Sequence, residues 1–192
     1  MKYYRCFKIY FFCIFLLSFS LESKESWLLD KDLSSIKFEL PVLFAKNVSG
    51  EFKEIEGLVE IDIKNKKNNK AIFAVEINSV EMNYNKYKTL LLSNIFFDSK
   101  NFPKALIDTK KFSYNNEKKL NLNIELNIKG KSNNLPIILN IIKLTEKLVQ
   151  IKGKLKFSRT FYDIGIGKWR NTSILKDQAI LDINIFLFKN NF

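Results

Sequence analysis

Few side chains in this sequence could carry out chemistry. Histidine is absent, and both cysteines, Cys6 and Cys13, fall near the N-terminus. Beyond them the chain has neither imidazole nor thiolate. That excludes Ser-His-Asp and Cys-His catalysis, histidine proton shuttling, and most zinc, copper, haem and iron–sulfur ligation. A hydrolase would have to use Asp, Glu or Lys, such as Glu81, Asp98 or Lys104, and nothing pairs these recognisably. The segment Gly165-Ile166-Gly167-Lys168-Trp169 invites comparison with a phosphate-cradling loop. It lacks the following lysine-serine/threonine pair and the helix, so it reads as a β-bulge or tight turn. Arg159 follows alternating residues that include Leu155 and Phe157, so it either holds a ligand headgroup at a pocket mouth or pairs with Asp163 as a clamp. Trp169 either stacks on a ligand at that mouth or plugs its end. Asp98 caps the loop at Ser99-Lys100-Asn101 or lies beside a ligand head. No metal or cofactor is expected, and binding fits these residues better than catalysis.

Most of the chain exists to build elements around such a pocket. Ile36, Phe38 and Leu40 alternate with Lys37 and Glu39, and Val59, Ile61 and Ile63 alternate with Glu60 and Asp62. Period-two alternation marks strands with one buried face. Phe73, Val75 and Ile77 continue it, and Leu120-Leu122-Ile124-Leu126-Ile128 is the clearest case. Leu135 to Ile142 is more continuously apolar. Val149-Ile151-Gly153-Leu155-Phe157 and Ala179-Leu181-Ile183-Ile185-Leu187 complete the set. Tyr84, Tyr87, Leu90 and Leu91 fall near helical spacing and predict one short helix within 84–93, whereas 41–48 reads as a turn. About eight antiparallel strands without disulfides must protect their edges, and closing the sheet into a barrel removes edges outright. An all-β barrel with an apolar interior is therefore expected, either packed solid or holding one slender ligand. Shared parity within each strand predicts that Phe38, Val59, Ile61, Phe73, Val75, Leu122, Ile124, Ile151, Leu155 and Ile183 point inward and that several line one apolar tunnel. A transmembrane barrel, apolar outside and polar within, is the alternative, and the lysine-rich alternate positions argue against it.

Residues 1–23 stand apart. Lys2, Arg5 and Lys8 precede an apolar run from Ile9 to Phe19, with Ser18 near its end and Ser20 just past it at −3/−1 spacing, the layout of a cleaved signal peptide. The mature protein is expected to begin between Leu21 and Ser26 and to reach the periplasm, with 24–192 as one folding unit. The formal charge of +12 could reflect nucleic acid, an anionic membrane surface, or an AT-rich genome rich in Lys, Asn and Ile codons. The last is preferred, with the Lys/Asn runs 64–70 and 115–119 as solvated hairpin loops. A transient membrane contact stays open, nucleic acid is not expected, and a homodimer is compatible.

Five segments in order resemble the YceI-like family. Trp27-Leu28-Leu29-Asp30 with Ser34-Ser35-Ile36-Lys37-Phe38 is similar to its start. Val48-Ser49-Gly50-Glu51-Phe52-Lys53 with Glu56-Gly57, and Phe96-Phe97-Asp98 with Asn101-Phe102-Pro103-Lys104-Ala105, follow its next two motifs. Leu126-Asn127-Ile128-Lys129-Gly130 with Leu135-Pro136-Ile137 resembles its hairpin, and Ser158-Arg159-Thr160-Phe161-Tyr162 through Gly165, Gly167 and Trp169 its C-terminal motif. The family often has an acid two residues after the arginine, where this chain has Phe161. The resemblance implies an extended antiparallel lipocalin-like barrel of about eight strands with one short helix near a mouth. It also implies a non-catalytic carrier of a polyisoprenoid, quinone or quinone precursor in an apolar tunnel. A binder of fatty acids or fatty amides, or a quinone-bearing partner of a respiratory cytochrome, is the alternative.

Overall fold

The computed structural model describes residues 24–42, 46–62, 64–82, 84 and 87–190. The expected signal peptide, residues 1–23, and Ile63 lie outside them. Eleven strands follow in order: β1 (Lys24–Leu29), β2 (Ser35–Leu40), β3 (Val48–Phe52), β4 (Ile55–Asp62), β5 (Asn69–Glu76), β6 (Val80–Met82), β7 (Lys104–Phe112), β8 (Lys119–Ile128), β9 (Lys131–Lys143), β10 (Leu148–Ser158) and β11 (Gln178–Lys189). One helix, α1 (Lys88–Leu92), precedes β7. It lies within the expected segment and is a single turn long.

Six of these strands are halves of three longer ones. β1 and β2 both pair with β11 and are separated by the turn 30–34, which stays attached because Asp30 N–H donates to Phe186 and Phe186 N–H donates to Ser34 Oγ. β3 and β4 break at Lys53-Glu54. β5 and β6 are parted by a 3-10 turn at Ile77–Ser79, where Ser79 Oγ accepts the N–H groups of both Lys53 and Glu54. Counted this way the barrel has eight antiparallel strands, each beside its neighbour in sequence, and β11 closes the ring against β1 and β2.

This up-and-down order sends alternate connections to opposite ends. One end has the short links 63–68, 113–118 and 144–147. The other has 41–47, 83–103 with α1, the two-residue turn 129–130, and 159–177. Most of the Lys/Asn run 64–70 forms an exposed hairpin loop between β4 and β5, held by side-chain hydrogen bonds. Asp62 Oδ1 accepts the N–H groups of Lys64 and Asn65, and fully buried Asn69 donates to the carbonyls of Lys66 and Phe112 while its Oδ1 accepts Asp62 N–H.

Inward residues keep one parity along each strand except β7, where Ala105, Ile107 and Thr109 face the interior and so does Phe112, past the irregularity opposite Lys70 and Ile72. The apolar stretch of β9 divides into inward Leu135, Ile137, Leu139 and Ile141 and outward Pro136, Ile138 and Ile142, with only Ile137 fully buried. Pro136 lacks an N–H donor, and its position suits that. β9 pairs with β10 only from Leu139 to Lys143, so no ladder bond to β10 is needed at residue 136.

Candidate functional site

At the long-loop end α1, the turn around Trp169 and the segment near Leu175 close over the barrel. Val42 bridges Leu175, Lys176 N–H donates to Pro41, and Gly165 and Ile166 N–H both donate to Ile95. Beneath them lies a pocket of about 520 Å³ whose wall includes Leu40, Val42, Met82, Leu90, Phe96 and Trp169. That volume is in the range of ordinary ligand pockets. Two smaller apolar voids lie deeper, of about 40 Å³ and about 80 Å³. Leu40 borders both the mouth pocket and the upper void, and Ile36 and Ile107 border both voids. The three spaces thus form one axial series, wide at the mouth and nearly filled by side chains below.

Phe38 and Val75 border the upper void. Val59, Phe73, Leu122, Ile124, Ile151 and Ile183 border the lower one. Leu155 is fully buried in the core, and Ile61 packs against the core half-buried, yet neither borders a void. Leu40, Phe52, Phe97, Ala105 and Thr109 also border these spaces, beyond the lining that strand parity predicts. Strand β7 is the one full-length barrel strand that alternation does not mark, because Ala105 and Thr109 are weak apolar markers and leave Ile107 without strong neighbours of its parity.

Glycines make room for the aromatic residues. Gly50 lies directly across from Phe38, and a Cβ there would come 2.5 Å from Phe38 Cε1 and 2.6 Å from the Glu81 carbonyl oxygen. Because one obstacle is backbone, moving the ring alone does not make room. Gly50→Ala is expected to lower stability by roughly 1–3 kcal/mol, read as a lower melting temperature of the purified protein; an unchanged value would show that both the ring and the β6 backbone at Glu81 give way without cost.

Arg159 does not pair with Asp163, contrary to one sequence expectation. It has no exposed surface, and its guanidinium donates to backbone carbonyls: Nε to Lys176 at 2.9 Å, Nη1 to Ile164 at 2.8 Å and Nη2 to Leu175 at 2.7 Å. Arg159 therefore clamps the 159–177 segment from within. Asp163 instead pairs with Lys131 and lies 3.8 Å from Arg170, and the Lys131 hydrogen bond holds its carboxyl below the usual range. Lys129 Nζ donates to the Asp163 carbonyl, and burial pushes its ammonium below the ordinary lysine value. Nearby Asp177 accepts from Ser158 and Thr160, and these hydrogen bonds outweigh its burial, leaving its carboxyl below the usual range.

Fully buried Tyr162 donates to the Leu126 carbonyl at 3.2 Å, and burial pushes its hydroxyl up to about 12. It stays a neutral donor throughout the physiological range. Trp169 is half-buried in the mouth wall, its ring 5.8 Å from that of Phe96. Gly165 and Gly167 have positive φ values of 84° and 64° in the irregular chain before and into the 3-10 turn Gly167–Arg170. Asp98 accepts from Asn101 Nδ2, while its carbonyl accepts the N–H groups of Asn101 and Phe102, so it closes its own loop.

Among the described residues no cluster of three or more Cys, Asp or Glu could hold a metal, and no helix is long and apolar enough to cross a membrane. The arrangement can enclose an apolar chain, and among the described residues that line it no acid is paired with a base.

A family model described as YceI-like domain matches residues 27–187. No curated protein matches the chain. Among solved structures, Burkholderia cenocepacia BcnA is 20% identical over 82% of this chain and 98% of its own, with a TM-score of 0.75. A polyisoprenoid binding domain from Saccharophagus degradans, described as implicated in plant cell wall breakdown, is 15% identical over 85% of this chain and 98% of its own, with a TM-score of 0.70. The Campylobacter jejuni YceI protein is 20% identical over 79% and 90%, with a TM-score of 0.68. At these identities the likeness is one of fold.

Proposed function

This chain belongs to the YceI-like family, and from that premise we propose that it is a non-catalytic binding protein that carries a long apolar isoprenoid lipid. The observation that carries this reading is the axial series of apolar spaces, open at one end through a pocket of ligand size. Each methylene withdrawn from water contributes about 0.8 kcal/mol, so a prenyl chain can be held tightly without a diagnostic polar motif. The Saccharophagus degradans domain of the same fold, described as binding polyisoprenoid, supports this choice of ligand. The signal-like N-terminal sequence supports carriage in the periplasm.

The small size of the deep voids favours a second reading, a fatty acid or fatty amide whose shorter chain stays near the mouth. Organic extraction of the purified full-length product followed by mass analysis separates the two. A prenyl lipid or quinone in the extract is expected. Recovery of acyl lipids alone selects the second reading, and an extract free of both sinks the carrier assignment.

A further inference from the structure

The loops at the mouth end differ in character from the rest of the surface. Segments 41–47, 83–103, 129–130 and 159–177 together contain nine Lys or Arg, of which Arg159 is buried, and three Asp. All three aspartates are occupied: Asp98 by Asn101, Asp163 by Lys131, and Asp177 by Ser158 and Thr160. Lys100, Lys168 and Lys176 on the same loops are exposed and form no ion pair among the described residues. Large apolar side chains stand exposed between them: Tyr84 and Ile174 on the pocket rim, Ile166 in the turn before Trp169, and Phe161 beside Tyr162. Exposed apolar groups interleaved with lysines that face no carboxylate, Lys168 lying over the Trp169 ring, match the two layers of an anionic bilayer surface around an opening: lysines meet lipid phosphates while apolar tips enter the interface.

We propose that this rim docks on anionic membrane, so that the mouth pocket opens onto the headgroup layer that supplies or receives the lipid. The proposal rests on the lipid-binding reading and gives it a point of exchange. Its rival among exposed surfaces is an apolar belt around the outer wall, where Phe188, Leu28, Leu58 and Ile72 are directly paired on successive strands. That belt is bordered by charges of both signs, including Glu60, Lys70 and Asp108, which suits an anionic bilayer poorly.

The test is cosedimentation with vesicles of phosphatidylcholine, alone or with phosphatidylglycerol, at low and high salt. Wild-type protein is expected on the phosphatidylglycerol vesicles and to leave them as salt screens the contact. Each lysine near such a surface is worth a factor of about five in binding, so Lys168→Glu/Lys176→Glu is expected to weaken it at least tenfold. Ile166→Glu is expected to weaken it as well, whereas Leu58→Glu/Ile72→Glu on the belt is expected to leave it unchanged. Melting temperatures establish that each variant is folded. Equal binding to both vesicle types, binding to neither, or loss only in the belt variant overturns the proposal. Extracting each variant separates the two levels: an undiminished lipid load with lost vesicle binding supports docking as a distinct step. A wild-type extract without lipid overturns the carrier reading and the proposal resting on it.

Discussion

Replacing Arg159 with methionine is expected to lower the melting temperature of the lipid-free protein by roughly 6–20 °C. Methionine keeps much of the side-chain length but donates to none of the carbonyls of Ile164, Leu175 and Lys176. Leaving three buried acceptors unpaired costs about 1–3 kcal/mol each, and relief from burying the guanidinium offsets part of that, which leaves a net loss of about 3–5 kcal/mol. For a domain of this size each kcal/mol moves the midpoint by about 2–4 °C. Arg159→Lys separates clamp from headgroup site. A lysine keeps the charge but cannot serve carbonyls on three sides, so the clamp predicts nearly as large a loss. If Arg159 acted by holding an anionic head, the lysine variant would keep both stability and lipid, and a melting temperature within a degree or two of wild type would falsify the clamp.

The contrast between Arg159 and the inward strand residues shows what the sequence could convey. Inward direction is a parity property of a strand, so Phe38, Val75 and Ile124 were readable from their neighbours alone, and with them the barrel. Arg159 stands just past the end of β10, where parity lapses. Its partners are backbone carbonyls up to 17 residues away, and any residue type supplies a carbonyl, so no composition marks them. Reading Asp163 as its partner followed charge and proximity along the chain, but the turn after Arg159 directs Asp163 toward Lys131 instead. The halving of three strands was equally hidden. Ser34 and Ser79 fasten those breaks by hydrogen bonds to distant backbone, and a serine in a loop is otherwise unremarked. The family resemblance supplied what parity could not, since alternation alone demands an apolar interior without saying whether a ligand shares it.

How far a ligand chain reaches is decided by the second large effect, Ile124→Trp. Ile124 is almost fully buried and borders the lower void of about 80 Å³. The indole adds several heavy atoms to a space with room for little more, so overpacking is expected to cost about 1–3 kcal/mol in lipid-free protein. Lipid-bound protein should respond more strongly. A ligand present at one hundred times its dissociation constant stabilises the folded state by about 2.7 kcal/mol, or roughly 5–11 °C here. A variant that excludes the chain forfeits this gain on top of the packing cost. A long isoprenoid must displace or thread past the side chains around both voids, so Ile124→Trp is expected to purify without lipid and to show no rise in melting temperature when lipid is added back. A short acyl chain confined to the mouth pocket would not reach Ile124. The variant would then carry the wild-type load and gain the same stabilisation from added lipid, and that result would exclude deep occupation of the barrel.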